Sequence, residues 1–148
     1  MNFWLLIFKM NSIKIRAFYF LFWIIKMISK IEKVTLFVNS QEEAKKFWIE
    51  KLGFILTEEQ MMGPDIVWIE VTPKNAQTAL VLYPKAAMLS QKPEMVSHPN
   101  IIFSSDNIED LHSHLSKNNV EVDYILSMPW GKMFNFKDPD GNSYMVRG

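Results

Sequence analysis

Residues 33–54 read KVTLFVNSQEEAKKFWIEKLGF and residues 100–122 read NIIFSSDNIEDLHSHLSKNNVEV; laid over one another at a spacing of 66 or 67, they share one pattern. Each opens with an apolar strand carrying a central Phe (Phe37, Phe103). A capping residue follows (Ser40, Asp106), with a Glu three positions on (Glu43, Glu109). A helix of about three turns then stops at a residue prone to the left-handed conformation (Gly53, Asn119). A repeat of this length is one supersecondary unit that cannot bury its apolar face alone, so the fold is whatever two copies build together.

Working outward, alternation predicts a first strand over Ile31–Asn39, with Val34, Leu36 and Val38 on one face. The helix over Gln41–Leu52 carries Ala44, Phe47, Trp48 and Leu52 on one stripe and Glu42, Lys46 and Glu50 on the other. A strand from Phe54, the turn Gly63-Pro64-Asp65, strands Ile66–Val71 and Thr78–Tyr83, and a turn at Pro73 complete the first unit. Residues 84–99 carry three prolines and no period, and read as a linker. The second unit repeats the order: strand Asn100–Ser105, helix Ile108–Asn118, then strands Val120–Leu126, Lys132–Lys137 and Asn142–Val146. Asp138-Pro139-Asp140-Gly141 makes a tight hairpin between the last two. The expected fold class is α+β: two βαβββ modules, residues 30–83 and 100–148, forming a curved mixed sheet with helices outside and a cleft inside, where small-molecule pockets tend to form.

Bulk properties narrow the function. The 148 residues carry 16 basic and 16 acidic side chains, so nothing suggests a nucleic-acid footprint. Absence of cysteine excludes disulfides, thiolate nucleophiles and Cys-ligated metal centres, and fits a cytoplasmic location. Residues 1–29 are a different material: their longest apolar run, Ala17 to Ile25, spans nine residues, and Lys9, Lys14, Arg16 and Lys26 interrupt the segment. A membrane-spanning helix needs about 20 apolar residues, and no small-residue cleavage site follows the apolar stretch. The segment is expected to be an extension outside the fold, the alternatives being a signal or membrane anchor and a partner-binding helix.

The helix exit FW…LGF, the stretch NIIFSSDNIEDL, the MPWG tetrapeptide and the FNFKDPDGN hairpin, in this order and spacing, resemble the vicinal oxygen chelate superfamily. That superfamily includes glyoxalase I, bleomycin-resistance proteins, fosfomycin-resistance enzymes and extradiol dioxygenases. The resemblance covers about residues 30–147 and implies the paired-module fold, a cleft and commonly a homodimer. Metal-using members hold one divalent ion through four inward positions that supply His, Gln or Glu. Carried over, the first-strand position is Lys33 here, the fourth-strand position Val81, the position opening the second module Asn100 and the last-strand position Met145. An ammonium repels a metal ion, Val cannot ligate and Met is a soft, weak ligand, so no metal and no other cofactor is expected.

Three His do not alter this. His112 and His114 lie two apart on a helix and face different ways, and His98 lies in the linker. The residues expected to line a cleft are Lys33, Thr35, Trp68, Tyr83, Asn100, Trp130, Met133, Asn135, Met145 and Arg147. Each Trp or Met, taken alone, reads more readily as core packing; together they suggest a site for an aromatic or amphipathic small molecule. Glu70 stands out in an apolar strand; inward-facing, it would pair with Lys33 or act as a base. The leading reading is a metal-free small-molecule-binding protein. The alternatives are a glyoxalase-like lyase or isomerase, or a dioxygenase-type enzyme, acting on a small carbonyl compound with Glu70 or His98 as catalytic base, and a structural or partner-binding subunit.

Overall fold

A computed structural model describes residues 28–64 and 66–148. The expectation for residues 1–29 falls on positions that, up to residue 27, lie outside the described ones. The first module is strand β1 (Lys33–Val38), helix α1 (Gln41–Lys46) continued by a π-helical turn (Phe47–Lys51), then β2 (Ile55–Met61), β3 (Val67–Thr72) and β4 (Ala79–Pro84). The second is β5 (Ile102–Ser104), helix α3 (Ile108–Lys117), β6 (Leu126–Met128), β7 (Gly131–Lys137) and β8 (Ser143–Arg147). The two sheets have the same order, β1-β4-β3-β2 and β5-β8-β7-β6, with the first pair of each parallel and the rest antiparallel. The paired βαβββ reading therefore holds, in two four-stranded mixed sheets that are not closed into one.

Three local readings change. The linker contains helix α2 (Lys85–Gln91) and a 3-10 turn (Pro93–Met95), too short for a periodic signal to emerge from KAAMLSQ. The strand expected over Val120–Leu126 is reduced to a single bridge from Val122 to Phe136, followed by the short β6. The third change concerns the second cap, which is Asn107 rather than Asp106. The Asn107 side chain accepts from the Asp110 backbone N–H at 3.1 Å, as Ser40 accepts from Glu43 at 3.3 Å.

That shift fixes the spacing at 67 from cap to cap, whereas the helix stops Gly53 and Asn119, both at positive φ, are 66 apart. The π-helical turn absorbs the difference: Leu52 N–H reaches back five residues to the Phe47 carbonyl at 3.3 Å, so the first helix holds one residue more than the second. Phe37 and Phe103 are consequently not equivalent. Leu36 and Val38 face the helix side of their sheet and Phe37 the other, whereas Phe103 packs on the helix side against Trp48 at 5.8 Å. A one-residue offset exchanges the faces of a strand.

The helix faces of both modules share one core. Trp48, on the π turn, is its centre: its ring lies 5.0 Å from Phe54 in its own module, and 6.2 and 5.2 Å from Phe136 and Tyr144 in the other. Polar ties reinforce the join. Asn39 donates its backbone N–H and its side-chain amide to Asp140 at 3.0 and 2.8 Å, and the Lys51 carbonyl lies 3.0 Å from His114 Nε2. Within the first module the Gln41 amide donates to the carbonyls of Val67 and Leu82 at 2.7 and 2.6 Å, satisfying acceptors where the β3–β4 ladder ends. No helix among the described residues is long and apolar enough to cross a membrane.

Candidate functional site

The face of each sheet away from the helices is the open one. In the first module, register places Lys33, Thr35 and Phe37 of β1 beside Ala79, Val81 and Tyr83 of β4, and Val81 beside Glu70 of β3. Glu58 and Gln60 of β2 stand opposite Glu70 and Trp68 on the same face. In the second, Ile102 pairs with Met145, Met145 with Asn135, Met133 with Arg147 and Leu126 with Met133.

Glu70 answers the question its sequence raised: it faces this open side and is buried, with 6% of its surface accessible. Its carboxylate pairs with the Lys33 ammonium and accepts from Trp68 Nε1 at 2.5 Å. The ammonium also lies 5.5 Å from the centroid of the Trp68 ring. Trp68 meets Tyr83 edge-on at 6.5 Å, and Tyr83 meets Phe37 at 6.3 Å. Burial pushes the Glu70 carboxyl up, but the hydrogen bonds from Lys33 and Trp68 outweigh it, and the group titrates below its ordinary 4.5. The hydrogen bond with Glu70 in turn raises the Lys33 ammonium above its ordinary 10.5. Such a carboxylate is a weak proton acceptor near neutral pH.

The other expected residues are distributed as follows. Met133, Asn135, Met145 and Arg147 share the open face of the second module, where Asn135 donates to Asp123 at 3.0 Å and Arg147 Nη2 donates to the Trp130 carbonyl at 3.2 Å. Trp130 sits at the β6–β7 turn with 62% of its surface exposed, and Asn100 lies just before β5. His98 is elsewhere: Nε2 lies 3.3 Å from the Ser143 carbonyl and its ring 4.9 Å from Tyr144, a core residue, so it does not join Glu70. His112 lies 2.8 Å from the Asp123 carbonyl and His114 turns to Lys51, in keeping with their different directions.

Among the described residues, no hydrogen bond, ion pair or ring contact joins one open face to the other. Cavities of about 540 and 580 Å³ lie away from the Lys33–Glu70 pair, the larger adjoining Asp123 and Leu126 at the margin of the second module's open face. One is lined by Val34, Thr78, Leu80, Ile101 and Phe103, the other by His112, Val122, Tyr124 and Leu126. The cluster around Glu70 is a floor without a roof.

Residues 30–146 match the glyoxalase/bleomycin resistance protein/dioxygenase superfamily. The chain belongs to that superfamily. It is 38% identical to the uncharacterized protein YetH of Bacillus subtilis (strain 168), across 82% of this chain and 99% of YetH. Among solved structures it resembles TnmS3, an antibiotic binding protein from Streptomyces sp. CB03234. Sequence identity there is 32% and the TM-score 0.70, covering 81% of this chain and 95% of TnmS3. A superfamily member from Sphaerobacter thermophilus DSM 20745 superposes with a TM-score of 0.72 at 25% identity, over 82% of this chain and 98% of that one.

The resemblance carries the ion-holding positions of metal-using members onto Lys33, Val81, Asn100 and Met145. They do not fit a divalent cation: Lys33 brings a positive charge already paired to Glu70, Val81 is fully buried with no donor atom, and Met145 offers a thioether. No group of three or more His, Asp or Glu among the described residues is arranged to hold one either.

Proposed function

We propose that this protein is a metal-free small-molecule-binding member of its superfamily, taking an aromatic or amphipathic ligand on the open faces of its sheets. One observation carries the reading: an ammonium, a carboxylate and an indole are locked together where an ion would otherwise need open donors. Around this polar point the half-buried rings of Phe37, Trp68 and Tyr83 give apolar and aromatic surface, the mixture small-molecule sites use for affinity and orientation. That TnmS3 is an antibiotic binding protein supports a small-molecule ligand.

The roof of the site is a second copy of this chain, in a homodimer. Support comes from the second module's open face and its margin, where Ile102, Leu126, Met128 and Trp130 are 38–65% exposed. Apolar surface gathered on one face calls for a cover. The lyase or isomerase reading needs a base, and Glu70 is held as a paired carboxylate while His98 sits apart. The lack of cysteine supports a cytoplasmic setting.

The test is elemental analysis and native mass spectrometry of protein purified with and without chelator. The proposal expects no stoichiometric metal, a dimer mass and a retained small molecule. Stoichiometric nickel, zinc, manganese or iron would overturn it.

A further inference from the structure

The charge balance at Lys33 bears on the ligand's chemistry, provided the binding function proposed above is correct. A lysine on an aromatic floor invites an anionic ligand, but this one is not free. Its ammonium is paired to the buried carboxylate of Glu70, and the carboxylates of Glu58 and Glu32 also act on it through space. Glu58 stands directly opposite Glu70 across the β2–β3 ladder. Lys33, Glu70 and Glu58 together carry one net negative charge. Glu70 is fixed from a second side by Trp68 Nε1 at 2.5 Å, so it does not swing away to release the ammonium. An ammonium has three N–H donors, and pairing with Glu70 leaves donors for a neutral oxygen. A ligand carboxylate would gain one attraction and meet two like charges in a partly desolvated setting.

We infer that the first module's open face selects an uncharged, ring-bearing hydrogen-bond acceptor and discriminates against a carboxylate. Lys33 serves as a hydrogen-bond donor whose charge is cancelled from within, and Trp68 and Tyr83 supply the stacking surface.

The experiment is calorimetric titration of the full chain at neutral pH with two probes of matched shape, 2-naphthamide and 2-naphthoate. The wild type is expected to bind the amide about fivefold more tightly, the scale of one partly screened charge interaction. Glu70→Gln keeps an acceptor for Trp68 and frees the Lys33 charge, so it should reverse the order. Lys33→Gln should widen the amide preference, which keeps the inference testable if Glu70→Gln fails to fold. A wild type that prefers naphthoate, or variants that leave the ratio unchanged, would overturn the inference while leaving the binding function standing. Absence of binding by either probe to any of the three proteins would count against the binding function itself, and the inference would fall with it.

Discussion

Asp140, in the β7–β8 hairpin, accepts two hydrogen bonds from Asn39 at the end of β1, 101 residues earlier in the chain, and so fastens one module to the other. The backbone N–H and the side-chain amide of a single residue meet the two oxygens of a single carboxylate. Asp140→Ala should cost about 1–2 kcal/mol, as expected for charge-assisted bonds at a partly exposed site. Asn39→Ala, which keeps its backbone N–H, should cost less. A double-mutant cycle by urea denaturation isolates the side-chain bond; strictly additive effects would show that the Asn39 amide contributes nothing to the join.

The hairpin is organised from below by Asp138, which is buried and accepts from the Asp140 and Asn142 backbone N–H groups, the Asn142 amide and the Tyr144 hydroxyl at 2.9–3.0 Å. Asp138→Ala removes all four and should destabilise by about 3 kcal/mol, since buried donors are then left without a partner. Burial, together with the charge of Asp138, pushes the Tyr144 hydroxyl far above its ordinary 10.0. A raised folded value means that this group's contribution is intact below the unfolded value and is lost as pH rises. Ultraviolet titration of the native protein should therefore leave this tyrosine protonated at pH 11. Tyr144→Phe should abolish the late, unfolding-linked part of the titration curve.

Trp48 offers a test of the shared core. It is fully buried on the π turn and packs against Phe54 of its own module and Phe103 and Phe136 of the other. Trp48→Ala should cost about 3–5 kcal/mol by loss of buried area and the cavity left behind. Circular dichroism melts should show both modules losing structure in a single transition. Two separated transitions would mean that the modules do not share one core.

Much of this was legible in the sequence, for identifiable reasons. Strand alternation at Val34, Leu36 and Val38, the Ser40 cap, the stops at Gly53 and Asn119 and the DPDG hairpin are local signals, and each stands where it was read. The exchanged face of Phe103 was not legible. It depends on a one-residue surplus in the first helix, which only the π turn's hydrogen bonds reveal. The Asn107 cap was missed because Asp106 and Asn107 are both good caps and each has an acidic residue three positions on. At the site, Lys33, Thr35, Trp68 and Tyr83 do gather on one face. The direction of Glu70 followed only from the strand register, and the bonds from Asn39 to Asp140 join modules that no local pattern connects.

The Lys33–Glu70 pair should leave a pH signature. A lowered carboxyl means that the stabilisation from Glu70 is present above its ordinary 4.5 and is lost as pH falls through the folded value. Lys33, raised above 10.5, contributes below that value and loses its contribution as pH climbs through the higher folded one. Denaturant midpoints between pH 2 and 6 should therefore fall less steeply towards acid in Glu70→Gln than in the wild type. Identical slopes would show that the pair carries no linkage.

The most direct test of the binding function is a thermal-shift screen of aromatic and amphipathic compounds on chelator-treated protein, repeated with Lys33→Ala and Trp68→Ala. A ligand at a hundred times its Kd stabilises the folded state by about 2.7 kcal/mol, a rise in Tm of about 5 °C or more for a chain of this size. The account predicts such a rise for at least one compound, unaffected by chelator and diminished in both variants. Stabilisation that appears only after a divalent metal is restored, and is unchanged by either substitution, would contradict it.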